Sequence, residues 1–67
     1  MNVFDKVTAT FSPRRTDDLQ NDADKYIGKS GEFQVGWEIE DGAYKGEFAM
    51  CAPAGWPFAW TPSGDLS

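Results

Sequence analysis

Residues 32–40, E-F-Q-V-G-W-E-I-E, alternate apolar and polar side chains without a break. Phe33, Val35, Trp37 and Ile39 fall on one side, and Glu32, Gln34, Gly36, Glu38 and Glu40 on the other. A period of two belongs to a strand with one buried face. Asp41-Gly42 follows at once. This dipeptide favours a two-residue hairpin loop, in which both central residues take positive φ. Residues 43–51 alternate again, with Tyr44, Gly46, Phe48 and Met50 together. A two-residue loop then fixes the register: Ile39 faces Tyr44, Glu38 faces Lys45, Trp37 faces Gly46, Val35 faces Phe48 and Phe33 faces Met50. The apolar sets coincide, and a slip of one residue would separate them. Trp37 is therefore expected inside, its ring covering Gly46.

The rest of the chain supplies short elements around this hairpin. Residues 3–11 are rich in β-branched side chains and place Val3, Val7, Ala9 and Phe11 on one side, a strand closed by Ser12-Pro13. In the polar stretch 13–31, Leu19, Ala23, Tyr26 and Ile27 are spaced for one face of a short helix, with Thr16 as N-cap. An irregular loop pinned by Leu19 and Tyr26 fits as well, and either way Tyr26-Ile27 is expected to reach the core. Phe58-Ala59-Trp60-Thr61 reads as a last strand, Ser63-Gly64-Asp65 as a turn, and Leu66 folds back onto the core. With 67 residues, a chain hides only about 60% of its unfolded surface. One small domain, residues 1–67, is expected, and a two-domain enzyme or a full dinucleotide fold is excluded. Three Trp, five Phe and two Tyr are too many apolar anchors for a disordered acidic tail.

Several pieces, in order, resemble the SH3-like barrel family. Ala9-Thr10-Phe11 stands where that family has Ala-Leu-Tyr. Asp17-Asp18-Leu19 sits like the acidic Asp-Glu-Leu of its long first loop. Residues 27–35, I-G-K-S-G-E-F-Q-V, are similar to its diverging turn and second strand. Residues 41–47, D-G-A-Y-K-G-E, look like its D-G-x-x-x-G-E hairpin, and Trp60-Thr61-Pro62-Ser63 looks like its x-x-Pro-Ser strand end. The resemblance implies a mainly β fold, an SH3-like small barrel of about five strands with a long first loop. Phe11 and Pro62 match positions of the family's ligand groove, where aromatic side chains hold Pro-rich helices. The groove Trp is replaced by Ala43 and the groove Tyr by Asp65, which tells against that ligand here.

Catalysis has little to draw on. Without His, neither a Ser-His nor a Cys-His pair exists, and Cys51 alone reads as a packing residue or edge thiol. No catalytic residue, cofactor or metal site is expected. Gly28-Lys29-Ser30 copies the end of a phosphate-binding loop, but Ala23 stands where its first Gly belongs. The first loop is dense in Asp, yet Ala23 and Lys29 occupy the Gly and Glu positions that a calcium loop beginning at Asp18 requires. A net charge of −5 argues against binding phosphate backbones. No apolar run is long enough to span a membrane. No secretory signal is visible and one Cys makes no internal disulfide, so a cytoplasmic location is expected.

What remains is recognition of a protein. Trp56 lies in a Pro/Gly loop outside the strand alternation. It is either an exposed anchor with Pro57 and Phe58 or a lid over one end of the barrel. Asp17, Asp18, Asp22 and Asp24 supply a negative field that steers a basic partner. The leading expectation is a non-catalytic interaction module using Trp56, Pro57, Phe58 and these four Asp. An acidic inhibitor of phage or mobile-element type, mimicking nucleic acid on its target enzyme, is the alternative. A structural assembly protein that forms homo-oligomers through an exposed strand edge is the second alternative.

Overall fold

The computed structural model describes residues 2–17, 19 and 22–67. The chain is mainly β. Strands β1 (Lys6–Thr10), β2 (Ser30–Glu38), β3 (Phe48–Cys51) and β4 (Trp60–Pro62) form one antiparallel sheet in chain order. Two 3₁₀ turns accompany it, Ala23–Tyr26 in the first loop and Ser63–Asp65 after β4. Beyond the second turn the chain returns to β1: Phe11 and Leu66 form an isolated bridge. Thr10 and Ser67 exchange two backbone hydrogen bonds of 2.9 Å.

Alternation holds over the inner face. Val7 pairs with Phe33, and Val35 pairs with Met50, which pairs with Thr61. Phe33, Val35 and Met50 are fully buried, and Val7, Ala9, Phe48, Ala52, Trp56 and Leu66 pack against them. Burying such a side chain stabilises by about 1.5–3 kcal/mol, so this cluster carries much of a thin core.

The expected two-residue hairpin does not form. β2 and β3 are joined by a loop over residues 39–47, and Glu38 faces Phe48 rather than Lys45. Gly42 has a φ of +90°, but Asp41 does not take positive φ, so the turn that Asp-Gly favours is missing. Ile39 instead donates to the Glu47 carbonyl at 2.8 Å and accepts from the Gly46 amide at 2.9 Å. Gly46 lies in the loop at φ +92°, and no atom of the Trp37 ring comes within 4 Å of where its Cβ would stand, so the indole does not cover it as expected.

The second departure is a bulge. The β2–β3 register shifts between Val35 and Trp37. A Cβ at Gly36 would lie 3.1 Å from the Ala49 carbonyl oxygen and 3.2 Å from the Cys51 Sγ. A side chain there would push its neighbours back by a few tenths of an ångström, so glycine favours this close approach of the two strands. The extra residue turns Trp37 out of the row of Phe33 and Val35. It is 49% exposed and packs against Trp60, itself 41% exposed, with ring centroids 5.6 Å apart and the ring planes tilted by 57°.

Smaller corrections concern the flanks. Val3 and Phe4 are exposed outside β1, Phe4 at a φ of +73° held by its amide on the Val35 carbonyl at 2.7 Å. Among the described residues the first loop contains the 3₁₀ turn Ala23–Tyr26, and none of them forms a helix capped by Thr16. Tyr26 reaches Trp56, whereas Ile27 is 43% exposed. The last strand starts at Trp60, so Phe58 precedes it.

Candidate binding trough beside the last strand

Trp56 is drawn onto the core by the shape of its loop. Gly31 at the start of β2 presents no side chain, and a Cβ there would lie 2.8 Å from Pro53 Cγ and 3.1 Å from Trp56 Cζ2. The loop over residues 52–59 therefore settles flat on β2. The half-buried indole meets Tyr26 at 4.9 Å, Phe33 at 5.2 Å, Phe58 at 5.7 Å and Phe11 at 6.4 Å between centroids. Of the two positions open to Trp56, the structure shows the lid. Pro57 is half-buried beside it.

The lid supports an open trough. Phe11, 2% exposed, lies 4.8 Å from Phe58 between ring centroids. These rings, with Leu19 and Ala23 of the first loop and Trp60 and Pro62 of β4, line a depression of about 320 Å³. Asp65 and Thr61 complete its lining. Because Trp60 also packs against Trp37, apolar surface runs from the trough onto the outer face of the sheet.

The acidic residues divide by place. Asp22 and Asp24 flank the buried Ala23, and Asp17 is exposed two residues before Leu19, so all three stand on the loop that walls the trough. Asp18 lies outside the described residues. Asp22 also lies 3.6 Å from the Lys25 ammonium, an exposed pair worth about 0–1 kcal/mol.

Glu47 and Asp65 are differently employed. The Arg14 guanidinium donates from Nε to Asp65 at 2.6 Å, and from Nη1 and Nη2 to Glu47 at 2.8 and 2.9 Å. It lies 4.8 Å from the Tyr44 ring centroid. The Gly64 amide adds a 2.9 Å hydrogen bond to Glu47. A Cβ at residue 64 would lie 2.7 Å from both Arg14 Nη1 and Glu47 Oε1, so glycine there leaves space for the clamp. One arginine thus ties the first loop to the 39–47 loop and to the turn after β4. The charge of Asp65 in the trough is answered from behind.

The Arg14 fork, then the Gly64 amide, hold the Glu47 carboxyl below the usual carboxylate range. The same bonds push the Arg14 value further up, so the guanidinium stays charged. A depressed acid contributes stability that is complete above the ordinary carboxylate range and is lost as pH falls through its folded value. Thermal stability should therefore decline on acidification, and Glu47→Gln should remove the part of that decline owed to Glu47. Calorimetry across the acid range checks this; parallel profiles for the two proteins would contradict it.

Sequence reasoning placed Phe58 and the acidic loop at the surface of interest. It did not find Trp37, Trp60, Leu19 or Arg14. Gly36 inside a strand was the available signal, since an interior glycine marks a bulge or a close approach. Among the described residues, no three of His, Cys, Asp or Glu gather in a way that could hold a metal ion. No helix among them is long and apolar enough to cross a membrane. Comparison with family models, curated proteins and solved structures finds no match for this chain.

Proposed function

We propose that the chain is a non-catalytic protein-interaction module of SH3-like build. The trough between the first loop and β4 takes an extended segment of a partner. The order of elements supports the build: a long first loop, four antiparallel strands, a 3₁₀ turn after the last of them, and a return to β1 through the Phe11–Leu66 bridge. The observation that carries the function is an apolar trough walled by a loop bearing exposed Asp17, Asp22 and Asp24. Desolvated aromatic side chains anchor a partner, and fixed charge at the rim sets its sign and speeds its approach. The partner segment is basic with an apolar anchor. Phe58 and Trp60 touch it, Asp17, Asp22 and Asp24 steer it, and Trp56 and Pro57 hold Phe58 in place. Because Arg14 answers Glu47 and Asp65, the acidic surface is broken, which favours this reading over mimicry of a phosphate backbone.

Trp60→Ala tests it. Trp60 is 41% exposed and outside the core cluster, so its truncation should shift melting by only a few degrees. Loss of a central aromatic anchor costs about 2 kcal/mol or more of binding. The immobilised domain should capture a partner from cells that carry it, and the Trp60→Ala form should not, with captured proteins identified by mass spectrometry. Equal capture by a folded Trp60→Ala domain would overturn the assignment of the trough.

A further inference from the structure

The trough carries one charge in its lining, and that charge is incompletely answered. Apart from Thr61 and Asp65 its walls are apolar or aromatic. Asp65 is 8% exposed, and its two carboxylate oxygens are unequally served. Oδ1 accepts from Arg14 Nε at 2.6 Å and from the Arg14 main-chain amide at 3.4 Å. Oδ2 accepts only from the Thr61 hydroxyl, at 3.5 Å. Thr61 lines the trough as well, which sets Oδ2 toward it. An ionised carboxylate has room for about four hydrogen bonds. Asp65 stands where the SH3-like groove has a Tyr, so this acceptor belongs to this chain and not to the resemblance.

The charges behind it do not balance. Two carboxylates, Glu47 and Asp65, share the single guanidinium of Arg14, and Glu47 takes two of its three donating nitrogens. One negative charge is left over. Other cations are engaged elsewhere: Lys6 lies 3.8 Å from Glu32, Lys25 lies 3.6 Å from Asp22, and Lys29 sits over the Tyr26 ring. No basic side chain among the described residues lines the trough. While the trough is open, solvent screens Oδ2. A wholly apolar occupant would displace that solvent and strand the charge, and burying an unanswered charge is costly. An acidic occupant would also meet repulsion from Asp17, Asp22 and Asp24 on the loop that walls the trough.

We propose, resting on the reading of the trough given above, that Asp65 sets its specificity and that the side chain it admits is an arginine of the partner. The stem supplies the apolar contact with Phe11, Leu19 and Phe58, and the guanidinium donates to Asp65 Oδ2 beside the Trp60 ring. Anchor and base are then one residue. A long basic side chain buries its methylene stem while its head keeps polar partners. A guanidinium suits this place better than an ammonium, because it is more weakly hydrated and lies flat on aromatic faces. Its bond to Asp65 is charge-assisted, and such bonds are about twice as strong as neutral ones.

The test uses the full chain, labelled for NMR, and three capped tripeptides with arginine, citrulline or leucine between two alanines. Citrulline has the shape of arginine without its charge. The arginine peptide should give saturable shifts at Phe11, Phe58 and Trp60, and bind about tenfold more tightly than the citrulline peptide, the worth of one hydrogen bond between charged groups. Asp65→Asn should abolish that ratio. The combined Asp17→Asn, Asp22→Asn and Asp24→Asn protein should keep it, with both peptides weakened alike. Should Asp65→Asn not fold, the peptide comparison on the unaltered protein and on the loop variant decides. Equal binding of the citrulline or leucine peptide at the same rings would overturn the role of Asp65 and leave the trough as a binding site. Loss of the ratio in the loop variant would move the selection to the rim and overturn it too. Absence of saturable shifts at these rings with all three peptides would overturn both this proposal and the reading of the trough.

Discussion

Replacing Trp56 by alanine is expected to unfold a large fraction of the protein at 37 °C. The indole is half-buried, belongs to the packing around Phe33, Val35 and Met50, and touches four other aromatic rings. Truncating a packed Trp costs about 3–5 kcal/mol. A domain of this size has little more than about 5 kcal/mol in total. At about 4–8 °C per kcal/mol, the melting temperature should fall by about 15 °C or more. Trp56→Phe keeps most of the apolar contact and should cost much less. Thermal unfolding followed by circular dichroism checks both. A Trp56→Ala protein that melts like its parent would show that the loop over residues 52–59 does not lie on β2. For the same reason, loss of partner capture in this variant would say nothing about contact with the partner, which is why Trp60 is the informative site.

The second large effect is expected at Arg14. Its guanidinium makes three hydrogen bonds to two carboxylates, and the Asp65 side chain beneath it is only 11% exposed. Arg14→Met leaves that buried carboxylate with two weak partners, the Thr61 hydroxyl at 3.5 Å and the main-chain amide of residue 14 at 3.4 Å. Breaking hydrogen bonds to a charged group and stranding the acceptor costs about 2 kcal/mol, so melting should fall by about 10 °C. Arg14→Lys should rescue little of this, because an ammonium cannot reproduce the planar fork that engages Glu47 with two nitrogens and Asp65 with a third. Pairing Arg14→Met with Asp65→Asn in a double-mutant cycle separates the stranded charge from the lost packing on Tyr44. A neutral Arg14→Met substitution would mean that the first loop is not tied to the turn after β4.

These two residues also show where the sequence was legible. Strict alternation identified β2 and the inward set Val7, Ala9, Phe11, Phe33, Val35 and Met50, because a half-buried strand leaves its period in the side chains. The turn after Pro62 and the return of Leu66 were legible for the same local reasons. The partner of β2 was not. Asp41-Gly42 carries a strong hairpin signal, yet Asp41 takes no positive φ and the strand begins at Phe48, five residues later than the expected start at Ala43. Alternation past Gly36 was true of the sequence and false of the sheet, because one bulged residue exchanges the faces beyond it. That exchange moved Trp37 from the expected core to the outer face.

The trough was hidden for a different reason. Phe11, Leu19 and Phe58 are far apart in the chain and meet only because Gly31 admits Trp56 and Arg14 draws the first loop toward the turn after β4. Nothing local to Arg14 marks it as a clamp, since Glu47 and Asp65 become its partners only after folding. The acidic loop was visible as composition, and its relation to an apolar depression needed the fold.

A NOE spectrum of the free protein with selectively labelled aromatic residues tests most directly whether the bulge and the loops build this surface. Cross-peaks between the indoles of Trp37 and Trp60, and between the rings of Phe11 and Phe58, are expected. Trp37 cross-peaks to Phe33 or Met50, with none to Trp60, would contradict the bulge at Gly36 and with it the aromatic surface that extends the trough.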